Sequence, residues 1–164
     1  MTNASWERWA RATGIVFVVL FIVSFIVYGD QPKLGASTSD IVSFYDTNRG
    51  RILAATFIFG VAILFLLWFV AAIASALREA GQGGWGAATI ASGAVLAGIL
   101  FLLNILSAGL ANTIAGNGDE GVITALSDLS WTVAVTISFP ASLVIAAASI
   151  GLWRAGIKIG RAHV

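Results

Sequence analysis

ILAATFIFGVAILFLLWFVAAIASAL, residues 52–77, decides the fold. It holds no charged residue and is bracketed by Arg51 and Arg78. A helix rises about 1.5 Å per residue, so the run is long enough to cross roughly 30 Å of hydrocarbon. A surface this apolar needs lipid as its solvent, which makes the stretch a membrane span.

Working outward, the same pattern recurs. An uncharged run at 12–29 contains IVFVVLFIVSFIVY, with Trp6 and Trp9 before it and Tyr28 at its end, where an aromatic belt would lie. Arg8 and Arg11 also give it the positive start of a signal peptide. Its length, and the poor small-x-small site at Leu34-Gly35-Ala36, favour an anchor that is retained. After Arg78-Glu79, the turn Ala80-Gly81-Gln82-Gly83-Gly84 leads into a third span at 85–112, opened by Trp85. Residues 113–128, TIAGNGDEGVITALSD, read as a Gly- and acid-rich loop, and a fourth span follows at 129–153 with Pro140 near its middle. Proline removes one backbone bond and kinks a helix, which a membrane bundle tolerates when neighbours repair the gap.

The expectation is therefore an all-α, polytopic transmembrane helical bundle with four spans. Between spans one and two, Ser37-Thr38-Ser39-Asp40 has the form of a capping box. Ile41, Val42, Phe44 and Tyr45 follow at helical spacing, so a short amphipathic outer surface helix is expected at 38–48.

Composition agrees. Of 164 residues, 59% are hydrophobic and 10% charged, against about a quarter charged in soluble domains. Mean hydropathy is +0.94. A net charge of +1 without clustered cations argues against a nucleic-acid partner and leaves membrane lipids as the expected one. Small residues four apart, at Gly93/Ala97, Ala94/Gly98 and Ala147/Gly151, suit either close packing within the bundle or a homo-oligomer or partner-protein face.

Lys and Arg set the orientation. Arg8, Arg11, Arg78, Arg154, Lys158 and Arg161 lie on the side of the termini and the 78–85 turn, whereas Lys33, Arg49 and Arg51 lie on the other. That imbalance predicts an inner-membrane protein with both termini cytoplasmic. The last six residues, Ile159-Gly160-Arg161-Ala162-His163-Val164, translate ATC GGA AGA GCA CAC GTC, one frame of a common short-read sequencing adapter. They are read as an artefact, with the natural protein continuing beyond Lys158.

The residues exclude much chemistry. There is no cysteine, hence no disulfide, thiolate metal site or iron–sulfur ligation. The one histidine is in the suspect tail and the one methionine is Met1, so a haem ligand is wanting. No span holds an ionisable residue, which proton-coupled transport and a retinal Schiff base both require. No cofactor is expected.

Two places remain for a site. Asn104 lies inside span three, and its amide cannot satisfy both donors and acceptors locally. It suits either a polar cavity or an interhelical clamp of roughly 0.6–2 kcal/mol. At the outer face, Tyr45, Asp46, Arg49 and Arg51 fall within two turns, with Asp119, Glu120 and Asp128 on the facing loop. Arg49 is spaced to reach Asp46 or Tyr45, and Arg51 to pair with Asp128. This cluster suits a site for an anionic or zwitterionic ligand, or a set of salt bridges closing the bundle's end. The reading is a non-enzymatic structural or accessory membrane bundle, with a small transporter or lipid-binding protein as the alternative.

The segment SDIVSFYDTNRGRILAATFIFGVAILFLLWFVAAIASALRE, residues 39–79, resembles actinobacterial members of the family called domain of unknown function 4386. There a surface helix ending in Tyr and an Asn-Arg/His-Gly step leads into a Leu/Trp-rich span stopped by Arg. The stretch from Pro140 to Trp153, followed by a basic residue and Gly, resembles theirs too. The resemblance implies a bacterial multi-span inner-membrane protein, commonly with more spans than four, and supplies no catalytic residue.

Overall fold

The computed structural model describes residues 3–114 and 119–156. The hexapeptide 159–164 and Lys158 lie outside them. The chain is an all-helical bundle: α1 Asn3–Tyr28, α2 Thr38–Thr47, α3 Arg49–Glu79, α4 Gly83–Gly109, a π turn at Leu110–Ile114, α5 Glu120–Thr136 and α6 Ser138–Arg154. Among the described residues three stretches are long and apolar enough to cross a membrane: Arg49–Glu79, Gly83–Asn112 and the joined Glu120–Arg154. Ala12–Tyr28 is a shorter apolar one.

Helix α3 is the hub. It packs against α1 on one side and α4 on the other, and α4 in turn packs against α6. Among the described elements the α1 backbone neighbours only that of α3, and Tyr28 at its end also meets Phe44 and Tyr45 of α2. Phe17, Phe21 and Phe25 of α1 recur every fourth residue as an aromatic ladder, and Phe59 of α3 lies 5.7 Å from Phe21 and 6.4 Å from Phe25 between ring centres. Such tilted and edge-on pairs suit the ring quadrupoles.

Close approach of α3, α4 and α6 depends on small residues. A Cβ placed on Gly93 would stand 2.6 Å from Val70 Cγ1, and one on Gly151 would stand 2.7 Å from Leu77 Cδ2. Ala97 and Ala147, four residues away on the same faces, are buried as well. The third pair, Ala94 and Gly98, is exposed, with open space beside Gly98. Two of the small-residue stripes are thus internal packing, and one is turned outward. The middle of the bundle is apolar: Ile63, Leu66, Val70, Leu96, Ala97 and Leu100 form one buried cluster. Outward-facing Phe57, Leu64, Trp68, Ile105, Phe139 and Ile145 leave a lipid-like solvent as their natural contact.

The stretch 113–128 departs from the expected loop. Residues from Glu120 onward are helical, because Asp119 caps the helix: its Oδ1 accepts from Gly121 N at 2.8 Å and Val122 N at 3.2 Å. Ile123, Ser127 and Ser130 then form a buried stripe at helical spacing. The helix falters at Ile137, whose N–H bonds Ala134 O at 3.3 Å in a tighter turn. Pro140 has no N–H to offer the Thr136 carbonyl. Thr136 and Ser138 hydroxyls donate to Val133 O and Val135 O around the break, a pattern that itself bends helices.

Helix α2 starts as its sequence foretells, with Ser37 Oγ accepting from Asp40 N at 3.2 Å. It does more than lie on a surface. Ile41 and Tyr45 are each only 1% exposed and join Ile52, Leu110, Ala111 and Ile123 in a second buried cluster. The helix is a plug across one end of the bundle, with Ser43 and Asp46 turned outward.

Candidate functional site

The plugged end is where the sequence places its charged groups. Helix α2 reaches α3 through the single residue Asn48, whose backbone N–H and Nδ2 both donate to Phe44 O. That tight step puts Arg49 and Arg51 at the very start of α3, beside the end of α1.

Arg51 does not pair with Asp128. Its Nε donates to Val27 O at 3.2 Å and its Nη1 to Asn48 Oδ1 at 3.3 Å. A helix C-terminus exposes unpaired carbonyls at the negative end of its dipole, and Arg51 of α3 supplies the matching cation to α1. Gly29 makes room for it: with φ +80° it ends α1 in the left-handed conformation, and a Cβ there would stand 2.6 Å from Arg51 Nη2.

Arg49 likewise reaches neither Asp46 nor Tyr45. Its Nη2 donates to the carbonyl of Asn112 at 3.4 Å and to Asn112 Oδ1 at 3.3 Å, tying α3 to the π turn. Asp46 is exposed on the outer side of α2. Asp128 sits half-buried on α5, and its backbone carbonyl accepts from Thr132 Oγ1 at 3.0 Å.

Tyr45 is held under the plug. Its phenol shares a 3.2 Å hydrogen bond with the Tyr28 phenol, and Phe44 packs edge-on at 5.3 Å between centres. Burial pushes the Tyr45 pKa far up from its ordinary value, with the Tyr28 phenol adding to the shift. The group is a neutral structural phenol rather than a base. Two more bonds fix this end: Thr38 Oγ1 to Thr124 Oγ1 at 2.9 Å, and Trp131 Nε1 to Pro32 O at 3.1 Å.

Asn104 is elsewhere. It lies six residues before Leu110, about 9 Å deeper along the helix. Its Nδ2 donates to Thr56 O of α3 at 3.1 Å, beside Gly60, while its Oδ1 is buried without a partner.

The six candidate residues therefore do not converge. Arg49 and Arg51 are fasteners between elements, Tyr45 is core, Asp46 faces outward, Asp128 stands apart on α5, and Asn104 bridges two helices below. Sequence reasoning missed Tyr28, Asn48 and Asn112, the partners that fix them. Asn48 alone carried a signal, as the residue between two helices; the other two become partners only through packing. Comparison with family models, with curated proteins and with solved structures returns no match for this chain.

Proposed function

We propose that the chain is a non-enzymatic, multi-span bundle of the cell inner membrane, structural or accessory in role, with both termini in the cytoplasm. The observation that carries this reading is the use made of its polar groups. The outer arginines and tyrosines bond to neighbouring elements and close that end of the bundle, and Asn104 joins α4 to α3 in an apolar interior. Among the described residues, groups spent in this way leave no constellation of nucleophile and base, and no Asp, Glu, Lys or Arg along a path through the spans.

The buried, partnerless Oδ1 of Asn104 is the one observation that favours the alternative, a small transporter or ligand-binding protein, since a buried acceptor ordinarily finds a donor. A single experiment separates the two. The chain has no cysteine, so cysteines placed one at a time at Ser39, Gln82 and Ser107 are each unique. In intact cells, a membrane-impermeant thiol reagent is expected to reach position 39 and not 82. Position 107, one turn from Asn104, is expected to stay unlabelled from either side of a membrane vesicle. Rapid labelling at 107 would reveal a water path and transfer the function to the transporter reading. Labelling at 82 and not at 39 would invert the orientation.

A further inference from the structure

The end of the bundle opposite the plug carries two arginines that the fold does not use against each other or against an acid. Helices α3, α4 and α6 meet there so closely that Gly86 packs against the Ala74 carbonyl, and Gly151 against Leu77 and Trp85. This fixes the first turn of α4 between two cationic side chains. Arg78, in the last turn of α3, runs beside Gly83, where an added Cβ would lie 3.9 Å from its Cγ. Its Nη2 donates to Ser75 Oγ at 3.4 Å. Arg154, in the last turn of α6, sits with its guanidinium carbon 5.5 Å from the centre of the Trp85 ring.

A hydroxyl and an aromatic face position these guanidiniums without neutralising them. Among the described residues neither is paired with a carboxylate, and Glu79, the acid nearest in sequence, is exposed. Both arginines are exposed, which leaves their guanidiniums within reach of a ligand. Trp153, beside Arg154, is 81% exposed, as befits a ring at the level between headgroups and hydrocarbon. Around this corner the outward surface of α4 and α6 is apolar, with Ile90 and Val95 on α4 and Ile145 on α6 exposed. A ligand that fits must bring an anion to the arginines and hydrocarbon to the helices below.

We propose that Arg78 and Arg154, with Trp85 between them, bind the phosphate of an anionic membrane lipid. Guanidiniums suit this ligand because their planar forks meet phosphate oxygens two at a time, and basic pockets between spans on the side of the positive loops hold such headgroups. Loss of each cation lowers preference for an anionic lipid by about fivefold.

The test uses the full chain purified in mixed micelles of equal phosphatidylglycerol and phosphatidylcholine, with the retained lipids counted by mass spectrometry after washing. Phosphatidylglycerol is expected in excess over the bulk ratio. R78Q and R154Q should each cut the excess by about fivefold, and R78Q/R154Q should return it to the bulk ratio. R78K/R154K, which keeps both charges, should retain an excess and separates loss of charge from loss of fold. R49Q/R51Q at the plugged end should retain it in full. Bulk-ratio retention by the unaltered chain, or an unchanged excess in R78Q/R154Q, overturns the proposal. So does displacement of the lipid by millimolar inorganic phosphate, which would make the site one for the free anion.

Discussion

Asn104 of α4 donates from Nδ2 to the Thr56 carbonyl of α3 at 3.1 Å, one turn before Gly60, where the missing Cβ lets the amide lie against the helix. The bond is favourable, yet the same side chain buries an acceptor with no donor. These effects oppose each other: an interhelical bond in a membrane contributes about 0.6–2 kcal/mol, and an unsatisfied buried polar atom costs about 1–3. Asn104→Leu is therefore expected to lower stability by under about 1 kcal/mol in reversible unfolding in micelles. A loss above about 3 kcal/mol would mean that Oδ1 has a partner, such as an ordered water, in the membrane.

Gly93 and Gly98 lie on different faces of α4. Gly93→Ala drives a methyl group into Val70, and overpacking of this kind costs about 1–3 kcal/mol. Gly98→Ala meets open space and should be neutral or slightly stabilising. Val70→Ala should rescue part of the Gly93→Ala loss. Equal effects at the two glycines in a thermal-unfolding series would show that α4 is rotated from the orientation described.

The Gly29–Arg51 contact predicts a pair of coupled variants. Gly29→Ala meets a left-handed backbone and a guanidinium at once, and is expected to destabilise by about 1–3 kcal/mol. In an Arg51→Ala background the steric part of that cost should disappear and the backbone part remain. A double-mutant cycle between Arg51 and Asp128 should give no coupling, whereas Arg51 and Asn48 should couple by a few tenths of a kcal/mol, as exposed polar pairs do. Strong coupling to Asp128 would restore the salt bridge that the sequence suggests.

Tyr45 predicts a pH dependence. Its pKa in the fold is raised above the ordinary value, so below about pH 10 both folded and unfolded chains hold the neutral phenol and its contribution is intact. Above that pH the unfolded chain releases its proton while the buried phenol does not, and stability falls as pH rises. Tyr45→Phe should unfold less steeply between pH 10 and higher pH, at the cost of the bond to Tyr28. An alkaline limb identical in Tyr45→Phe would mean that Tyr45 is not buried in the folded state.

The helical bundle was legible because uncharged runs as long as Ile52–Leu77 have few alternatives. The start of α2 was legible too, since Ser37 caps through local spacing that needs no tertiary knowledge. The first half of α5 was not. Gly121 and the acids around it look like loop, and a sequence reader discounts Asp119 as a cap when the helix behind it carries Ser127 and Ser130 on its buried face. The outer charges were misread for a different reason. Opposite charges on neighbouring loops invite pairing, but Arg51 answers to a carbonyl in the last turn of α1, that of Val27, and backbone carbonyls leave no mark in a sequence. Asn104 drew attention correctly as the amide deep inside a span, although its partner, another backbone carbonyl, was equally hidden.

Because the backbone of α1 neighbours only that of α3, with Tyr28 tying its end to α2, the face between α1 and α3 is a seam that the contacts among α3, α4 and α6 do not share. On its α3 side that seam presents Phe59, Phe69 and Arg51. What would cover them must offer what α1 offers: a ladder of rings, a glycine opposite Phe69, and a carbonyl terminus for Arg51. Those three features together act as an address, and α1 is cut to it.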